Sequence, residues 1–226
     1  MKIIKIILLS TILFFTACKK DKKNPEENCK PTTPSAETVY PNYSQLKVGN
    51  YWVYQQFTVD SLGNGTPTNV YDSCFVQKDT IINGKVFFKQ YRPDIILSWS
   101  FVRDSLHYLV NNSGTIVFSS QDFTTIFNSA YNTYYDPISN LNDTIAFITS
   151  KMTEKNYIKN TPAGNFNTIN FKVNYKIHPP FNNNGMLNRP INTRYALGIG
   201  IVSETHLFFL NQTSYTERRL VRYKIN

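Results

Sequence analysis

The chain has 226 residues, and 24 Lys and Arg against 15 Asp and Glu give it a formal net charge of +9. Nucleic-acid binding would require a concentrated basic patch or a recognisable module, and the sequence contains neither, so we expect no nucleic-acid partner. Aromatic residues make up 15% of the chain. This composition favours β-strands over helices.

The N-terminal residues have the pattern of a secretory signal peptide. Lys2 and Lys5 flank the start of an apolar run that continues to Phe15. This run is too short for a comfortable membrane span, which needs about 20 apolar residues. It ends in Phe15-Thr16-Ala17-Cys18, where small residues precede the cysteine as in a lipobox. We therefore predict a lipoprotein signal peptide over residues 1–17 and lipidation of Cys18.

Residues 18–42 are predicted to form a flexible tether between the lipid anchor and the folded body. Four lysines follow the cysteine directly, and Pro25, Pro31 and Pro34 lie among polar residues. A segment this poor in apolar residues cannot bury enough surface to fold. The acyl chains would anchor the protein, and the lysines would add attraction to anionic headgroups.

Two further cysteines follow, Cys29 in the tether and Cys74 in a predicted strand. The cell envelope is oxidising, so the two thiols could form a disulfide. Alternatively, Cys74 is a buried thiol and Cys29 stays unpaired. The spacing of the two residues does not decide between these alternatives.

The body, residues 43–226, is predicted to be one all-β domain. Apolar and polar residues alternate through Ile169–Ile177, which is typical of an antiparallel strand with one buried face. Only residues 121–131 could form a short helix. We expect a single antiparallel β-sandwich or open curved barrel of about ten to twelve strands. Strands are predicted near 51–59, 69–78, 81–88, 95–103, 105–110, 114–119, 143–150, 152–160, 169–177, 194–204, 206–211 and 215–225.

Turn residues add detail to this prediction. The run 81–88 is a predicted hairpin, because Asn83-Gly84 lies between two β-prone segments. Gly49 suits a turn that needs a positive φ angle. Gly198 and Gly200 are expected on one face of a strand, where they would allow a bend or a close backbone approach.

Four motifs in this order resemble uncharacterised Bacteroidetes envelope lipoproteins. Residues 46–54 (LKVGNYWVY) resemble their L-K-x-G-N-x-W-x-Y opening, and residues 79–89 are similar to their D-T-x-I-N-G-K hairpin. Residues 162–166 (PAGNF) resemble a P-A-G-x-F turn, and residues 195–204 resemble Y-A-x-G-V/I-G-x-V. The resemblance implies an envelope location and a β architecture, and it implies no chemistry.

The residues after Cys18 also indicate which membrane, and which face of it, carries the lipoprotein. Lys19 replaces the aspartate that retains lipoproteins in the inner membrane of enteric bacteria, which implies an outer-membrane lipoprotein. Surface export in Bacteroidetes uses an acid-rich tag after the cysteine, whereas this chain has Asp21 among four lysines. We therefore expect the periplasmic face rather than the cell surface.

The sequence contains no recognisable catalytic or metal-binding motif. His107, His178 and His206 do not lie at metal-ligand spacing from one another or from a cysteine. No phosphate-binding glycine loop or nucleophile elbow is present either. We therefore expect no catalytic residues, metal or cofactor, and a non-enzymatic role is favoured over an enzymatic one.

Three functions remain open. The first is a non-enzymatic β domain that binds a ligand or partner, for example an apolar molecule in a closed cavity. The second is carbohydrate binding through Trp52, Trp99 and exposed tyrosines, although Trp52 is more simply explained as a core residue. The third is a hydrolase without a recognisable motif. An exposed row of aromatic residues would favour the second function, and a cleft with two perturbed carboxylates the third.

Several Asp-Ser and Asp-Thr pairs are followed by an aliphatic residue. This pattern resembles the acceptor of Bacteroidetes O-glycosylation, and it is equally typical of turns in which Asp caps a loop before the next strand. The candidate acceptors are Ser61, Thr80, Ser105 and Thr144.

Overall fold

A computed structural model describes residues 38–92, 99–138, 141–181, 188–206 and 214–226. Within these ranges the chain forms twelve strands and one short 3₁₀ helix, Pro179–Phe181. The strands are β1 Tyr51–Val59, β2 Gly65–Ile82, β3 Lys85–Tyr91, β4 Trp99–Ser105, β5 Tyr108–Asn111, β6 Ile116–Ser119, β7 Asn128–Asp136, β8 Leu141–Thr161, β9 Gly164–Ile177, β10 Asn188–Ala196, β11 Gly200–His206 and β12 Tyr215–Lys224.

All the strands belong to one antiparallel sheet in the order β6-β5-β4-β3-β2-β1-β12-β11-β10-β9-β8-β7. The sheet curls into a nearly closed barrel, so that β6 at one edge packs against strands from the other half. The rings of Phe118 on β6 and Tyr195 on β10 are 4.2 Å apart between centroids. The all-β class is therefore confirmed, and the strands form one curved sheet rather than two stacked sheets.

The concave side of the sheet carries the main core, and we call it the inner face. Trp52 and Tyr54 on β1 point to this side and are almost completely buried. The Trp52 Nε1 donates to the Ile199 carbonyl at 2.6 Å, and a Cβ at position 200 would lie only 3.2 Å from the ring. Two of the sequence motifs are thus in contact: the tryptophan of the first packs on the glycine turn of the last.

The segment before β1 is tied to the end of the chain. Gly49 has a φ angle of +88° and its N–H donates to Val76, as expected for a glycine turn. The Asn50 side chain is buried, donates to the Gln45 carbonyl, and accepts from the Asn226 backbone N–H at 2.9 Å. The Gly-Asn pair of this motif therefore has a structural role.

The Asn83-Gly84 hairpin is confirmed. Ile82 pairs with Lys85, and both turn residues have positive φ angles, 50° for Asn83 and 72° for Gly84. This geometry matches the twist of the two flanking strands.

Residues 121–131, the one segment where the sequence allowed a short helix, do not form one, because side chains bind the backbone groups that a helix would use. The Ser119 hydroxyl accepts from the N–H groups of Gln121 and Asp122. The Asp122 carboxylate in turn accepts from the N–H groups of Thr124 and Thr125. Such local bonds compete with helical hydrogen bonds, and β7 begins soon afterwards at Asn128.

Two strand predictions also need correction. The predicted strand 194–204 is a hairpin, in which β10 and β11 are separated by a turn at 197–199. The predicted strands 143–150 and 152–160 form a single strand, β8, with a bulge at 154–156 where Glu154 and Asn156 have positive φ angles. The prediction for 206–211 lies mostly outside the described residues.

Candidate functional site

One row of aromatic side chains crosses the outer face of the sheet, opposite the core. The register places Tyr51, Phe75, Tyr91 and Trp99 directly opposite one another on β1, β2, β3 and β4. Lys224 on β12 continues the row beside Tyr51. Neighbouring strands are about 4.8 Å apart, so the five side chains span about 19 Å. We call this set the aromatic row.

The rings at one end of the row form a compact cluster. Phe75 and Tyr91 stack at 5.1 Å between centroids, and Trp99 lies edge-on to both of them. The Lys89 ammonium lies 4.0 Å from the centre of the Trp99 ring. Trp99 nevertheless remains 37% exposed, a large fraction for an aromatic residue held by three neighbours.

An open groove adjoins the other end of the row. Its outer-face lining includes Tyr51, Tyr71, Ser73, Phe75 and Arg222. The Tyr71 ring is 57% exposed. The register places Arg222 and Ser73 on either side of Val53, so a cation and a hydroxyl lie between two exposed rings.

A separate cavity of about 200 Å³ lies on the inner face. Its apolar wall includes Trp52, Val102 and Ile201, and its polar wall includes Gln90 and Arg92. Other lining residues come from the segment before β1 and from β1, β2, β4, β5, β6 and β10; they are Ser44, Leu46, Tyr54, Cys74, Ser100, Leu109, Asn111, Val117 and Tyr195.

A buried charge network adjoins this cavity. Arg92 Nη2 donates to the two carboxylate oxygens of Glu204 at 2.5 and 2.6 Å. Arg218 on β12 also donates to Glu204, and it lies 3.4 Å from an oxygen of Asp72. Among the described residues, these contacts join two cations, Arg92 and Arg218, to two anions, Glu204 and Asp72.

The pKa of Glu204 reflects these contacts. Burial by itself would raise the pKa, but the guanidinium groups of Arg92 and Arg218 hold it well below its ordinary value. The carboxylate therefore stays ionised inside the sheet. Tyr54 beside it stays protonated, because burial raises its pKa, and its hydroxyl donates to the Ile201 carbonyl at 2.9 Å.

The structure separates the two tryptophans suggested by the sequence. Trp52 is 2% exposed and belongs to the core and the cavity wall, whereas Trp99 belongs to the outer aromatic row. Cys74 is buried and lines the cavity. Cys18 and Cys29 lie outside the described residues, so both the lipidation and the disulfide remain predictions.

The four candidate glycosylation residues differ in exposure. Ser61 lies in the turn between β1 and β2 and is exposed, whereas Thr80, Ser105 and Thr144 are half-buried. The Asp60 carboxylate, next to Ser61, accepts from the N–H groups of Leu62 and Asn64. Asp60 therefore stabilises its turn, and the adjacent hydroxyl remains accessible.

Sequence reasoning did not find Tyr51, Phe75 and Tyr91 as neighbours of Trp99. These residues are distant along the chain, and only the strand register brings them together. A partial signal existed for two of them, because Tyr51 and Phe75 lie in predicted strands and alternate with core residues, whereas Tyr91 lies between two predicted segments. The pairing of the strands could not be read from that signal.

The described part of the chain contains no group of three or more His, Cys, Asp or Glu side chains placed to hold a metal ion. None of its helices is long and apolar enough to cross a membrane.

No protein-family description and no curated protein matches the sequence. Two solved structures have a similar arrangement. One, from Parabacteroides distasonis and provisionally named a lipoprotein, is 14% identical and covers 83% of this chain and 100% of its own, with a TM-score of 0.41. The other, from Bacteroides fragilis and provisionally named an exported protein with a YmcC-like fold, is 13% identical and covers 81% and 99%, with a TM-score of 0.36. Both scores are low, and we draw nothing about function from them.

Proposed function

We propose that this protein is an outer-membrane lipoprotein whose β body binds an acidic saccharide on the aromatic row. The single observation that carries the binding proposal is the alignment of Tyr51, Phe75, Tyr91 and Trp99 on four adjacent strands of the outer face. The role is non-enzymatic, and saccharide binding is the more specific form of the ligand-binding role.

The anchor is supported by the N-terminal sequence. The apolar run before Phe15-Thr16-Ala17-Cys18 fits a signal peptide with a lipidated cysteine. We expect Cys18→Ala to release the protein from membranes into the soluble fraction of the native host, as measured by fractionation and immunoblotting. A variant that stays with the membranes would contradict the anchor.

The leaflet is tested separately. Lys19, Lys20, Lys22 and Lys23 around Asp21 favour the periplasmic face. Protease added to intact cells should leave the body uncut, and the same protease should cut it after the outer membrane is permeabilised. Cleavage in intact cells would place the body on the cell surface instead.

Saccharide binding is supported by the chemistry of the row and groove. The faces of aromatic rings carry partial negative charge, which attracts the C–H groups of a sugar ring. Trp99, Tyr51 and Tyr71 are 37%, 37% and 57% exposed, so their rings are accessible. A row of about 19 Å can contact several sugar units at once.

The preference for an acidic saccharide follows from the cations nearby. Arg222 and Lys224 are exposed at the groove end of the row, and Lys89 lies at the Trp99 end. An arginine side chain can bind a carboxylate through two parallel hydrogen bonds. A chain of uronic acids would place carboxylates beside these groups while its ring faces contact the aromatic side chains.

The chain has only two tryptophans, which gives a direct test. In ¹⁵N-labelled protein purified from membranes in detergent, the indole N–H signals of Trp52 and Trp99 can be followed separately after assignment with Trp99→Phe. We expect hexagalacturonate to shift the Trp99 signal and to leave the Trp52 signal in place. No shift of Trp99 with hexagalacturonate or cellohexaose would refute saccharide binding at the row.

Variants sharpen the test. Trp99→Ala should weaken hexagalacturonate binding about tenfold, the loss expected for one aromatic contact of roughly 1.4 kcal/mol. Tyr131→Ala is the matched control, because Tyr131 is also an exposed ring, 70% exposed, but lies on β7 away from the row. Equal affinity for cellohexaose and hexagalacturonate would contradict the acidic preference.

Ser61 is the proposed O-glycosylation residue, since its hydroxyl is exposed in a turn. Intact-mass measurement of protein from the native host should show glycan mass beyond polypeptide and lipid, and Ser61→Ala should remove part of it. A mass that matches polypeptide plus lipid would contradict this modification.

A further inference from the structure

The inner cavity contains a polar group that the protein itself leaves unsatisfied. Gln90 on β3 is 9% exposed, and its side chain lines the cavity. Within the described ranges, neither the oxygen nor the nitrogen of its amide has a hydrogen-bond partner. Neither amide atom belongs to the fully buried polar atoms of the described residues that lack a partner, so the amide is accessible from the cavity, where water or a ligand can bond to it.

Two more polar groups face the same space. Ser100 lies directly opposite Gln90 in the register, and its hydroxyl has no hydrogen-bond partner in the described part of the chain. Asn111 uses its Oδ1 to accept from the N–H groups of Ser113 and Thr115, which leaves its amide nitrogen for another acceptor. Gln90, Ser100 and Asn111 come from three consecutive strands, so together they form a polar strip on the cavity wall.

The rest of the lining is largely apolar. Trp52 on β1 and Ile201 on β11 are buried core residues, and Val102 and Leu109 lie beside Ser100 and Asn111 on β4 and β5. A ligand that fits this lining therefore has an apolar ring and a hydrogen-bonding group.

The size of the cavity limits the ligand. It measures about 200 Å³, and an engineered cavity of about 150 Å³ is enough to hold benzene. A single ring with one small polar substituent fits this volume, whereas a long acyl chain does not.

The charge of the ligand is limited by Arg92, the one charged residue in the described lining. Arg92 contacts both carboxylate oxygens of Glu204, and that carboxylate is also bound by Arg218. An anionic ligand would have to displace Glu204 from this network. A cationic ligand would have no carboxylate in the wall to pair with.

We propose that this cavity is a binding site for a small, uncharged, single-ring molecule that carries an amide or a similar donor–acceptor group. The amide of Gln90 forms the central hydrogen bonds, and Ser100 and Asn111 complete the polar strip. The site lies on the inner face, and neither Tyr91 nor Trp99 lines it. It is therefore independent of the proposed saccharide surface.

The probe is benzamide, with benzoate and benzamidine as charged analogues of the same shape. We expect benzamide to shift the indole N–H signal of Trp52 saturably and to leave that of Trp99 in place. Benzoate and benzamidine should each bind at least about tenfold more weakly than benzamide. Each lacks the amide that matches Gln90, and each carries a charge that the cavity does not compensate. Equal or tighter binding of benzoate, or no shift of Trp52 with benzamide, would overturn the proposal.

Gln90→Leu tests the role of the amide. It keeps a similar side-chain size and removes an amide that bonds to no described protein group, so Tm should stay within about 2 °C of the native value. At the same time, benzamide affinity should fall about tenfold.

Gln55→Leu is the matched control. Gln55 Nε2 donates to the Thr68 carbonyl at 2.8 Å, so this variant should lower Tm while leaving benzamide binding intact. A Gln90→Leu protein that loses stability as Gln55→Leu does, or that keeps full benzamide affinity, would refute the assignment of Gln90 as the binding group.

Discussion

The inner and outer faces of this sheet use the same residue types in different ways. Trp52 on the inner face is 2% exposed, and its Nε1 donates to a backbone carbonyl of the turn beyond β10. Trp99 on the outer face is 37% exposed and contacts two rings and a lysine. Burial on one face contributes stability, and exposure on the other leaves ring surface for a ligand.

Charged residues show the same contrast. Glu204 and Arg218 on the inner face lie within the core and bind each other, whereas Arg222 and Lys224 on the outer face are exposed. The first pair is part of what holds the barrel together. The second pair is placed to contact molecules in solution.

The largest expected effect is the difference in stability loss between variants of the two tryptophans. Trp52→Ala leaves a cavity in the core and removes a hydrogen bond, so it should lower the free energy of unfolding by about 3–5 kcal/mol. Trp99→Ala removes partly exposed contacts and should cost about 1 kcal/mol or less. Urea unfolding followed by circular dichroism measures both values. Similar losses for the two variants would contradict the division between the faces.

A substitution in the buried charge network should lower the free energy of unfolding nearly as much as loss of Trp52. Glu204→Gln leaves two buried guanidinium groups without their carboxylate and should cost about 3–5 kcal/mol. Glu154→Gln is the control, because Glu154 pairs with Arg194 through a side chain that is 45% exposed. We expect the control to cost about 1 kcal/mol or less. A Glu204→Gln loss no greater than that of Glu154→Gln would show that the network is not central to stability.

The contact between Trp52 and the turn can be tested through glycine. At Gly200, which has a φ angle of +101°, an added methyl group would lie 3.2 Å from the Trp52 ring. Gly200→Ala should therefore cost about 1–3 kcal/mol through backbone strain and crowding. Gly84 also has a positive φ angle, but a methyl group added there would meet no atom within 4 Å. Gly84→Ala should therefore cost less stability. If the Gly84 variant lost more stability, crowding against Trp52 would not be the cause.

The pH dependence is the smallest effect. The pKa of Glu204 is lower in the folded protein than in the unfolded chain, so its contribution is present above the unfolded value of about 4.3 and is lost as the pH falls towards the folded value. The stability difference between the native protein and Glu204→Gln should shrink by about 1–2 kcal/mol between pH 6 and pH 3. Urea titrations at each pH measure it. A constant difference would mean that Glu204 has no depressed pKa.

Features with local causes were predictable from the sequence. The hairpin at Asn83-Gly84 needs two adjacent positive φ angles, and Asn and Gly are the residues that adopt them most readily. The alternation in Ile169–Ile177 predicts a strand, and β9 includes this segment, although Asn170 on its polar side is buried rather than exposed to solvent. The absence of a helix over 121–131 also has a local cause, because Ser119 and Asp122 bond to the backbone there.

By itself the sequence determined the class of the fold, the positions of most strands and the alternation of their faces, because these depend on neighbouring residues. Only the tertiary structure decided which strands pair and in what register. That register aligns Trp99 with Tyr91 and Phe75, and the folded sheet brings Arg92 to Glu204 across 112 residues of chain, beside Arg218 on the neighbouring strand. Such contacts depend on the curvature and closure of the whole sheet, and a local pattern carries no record of them.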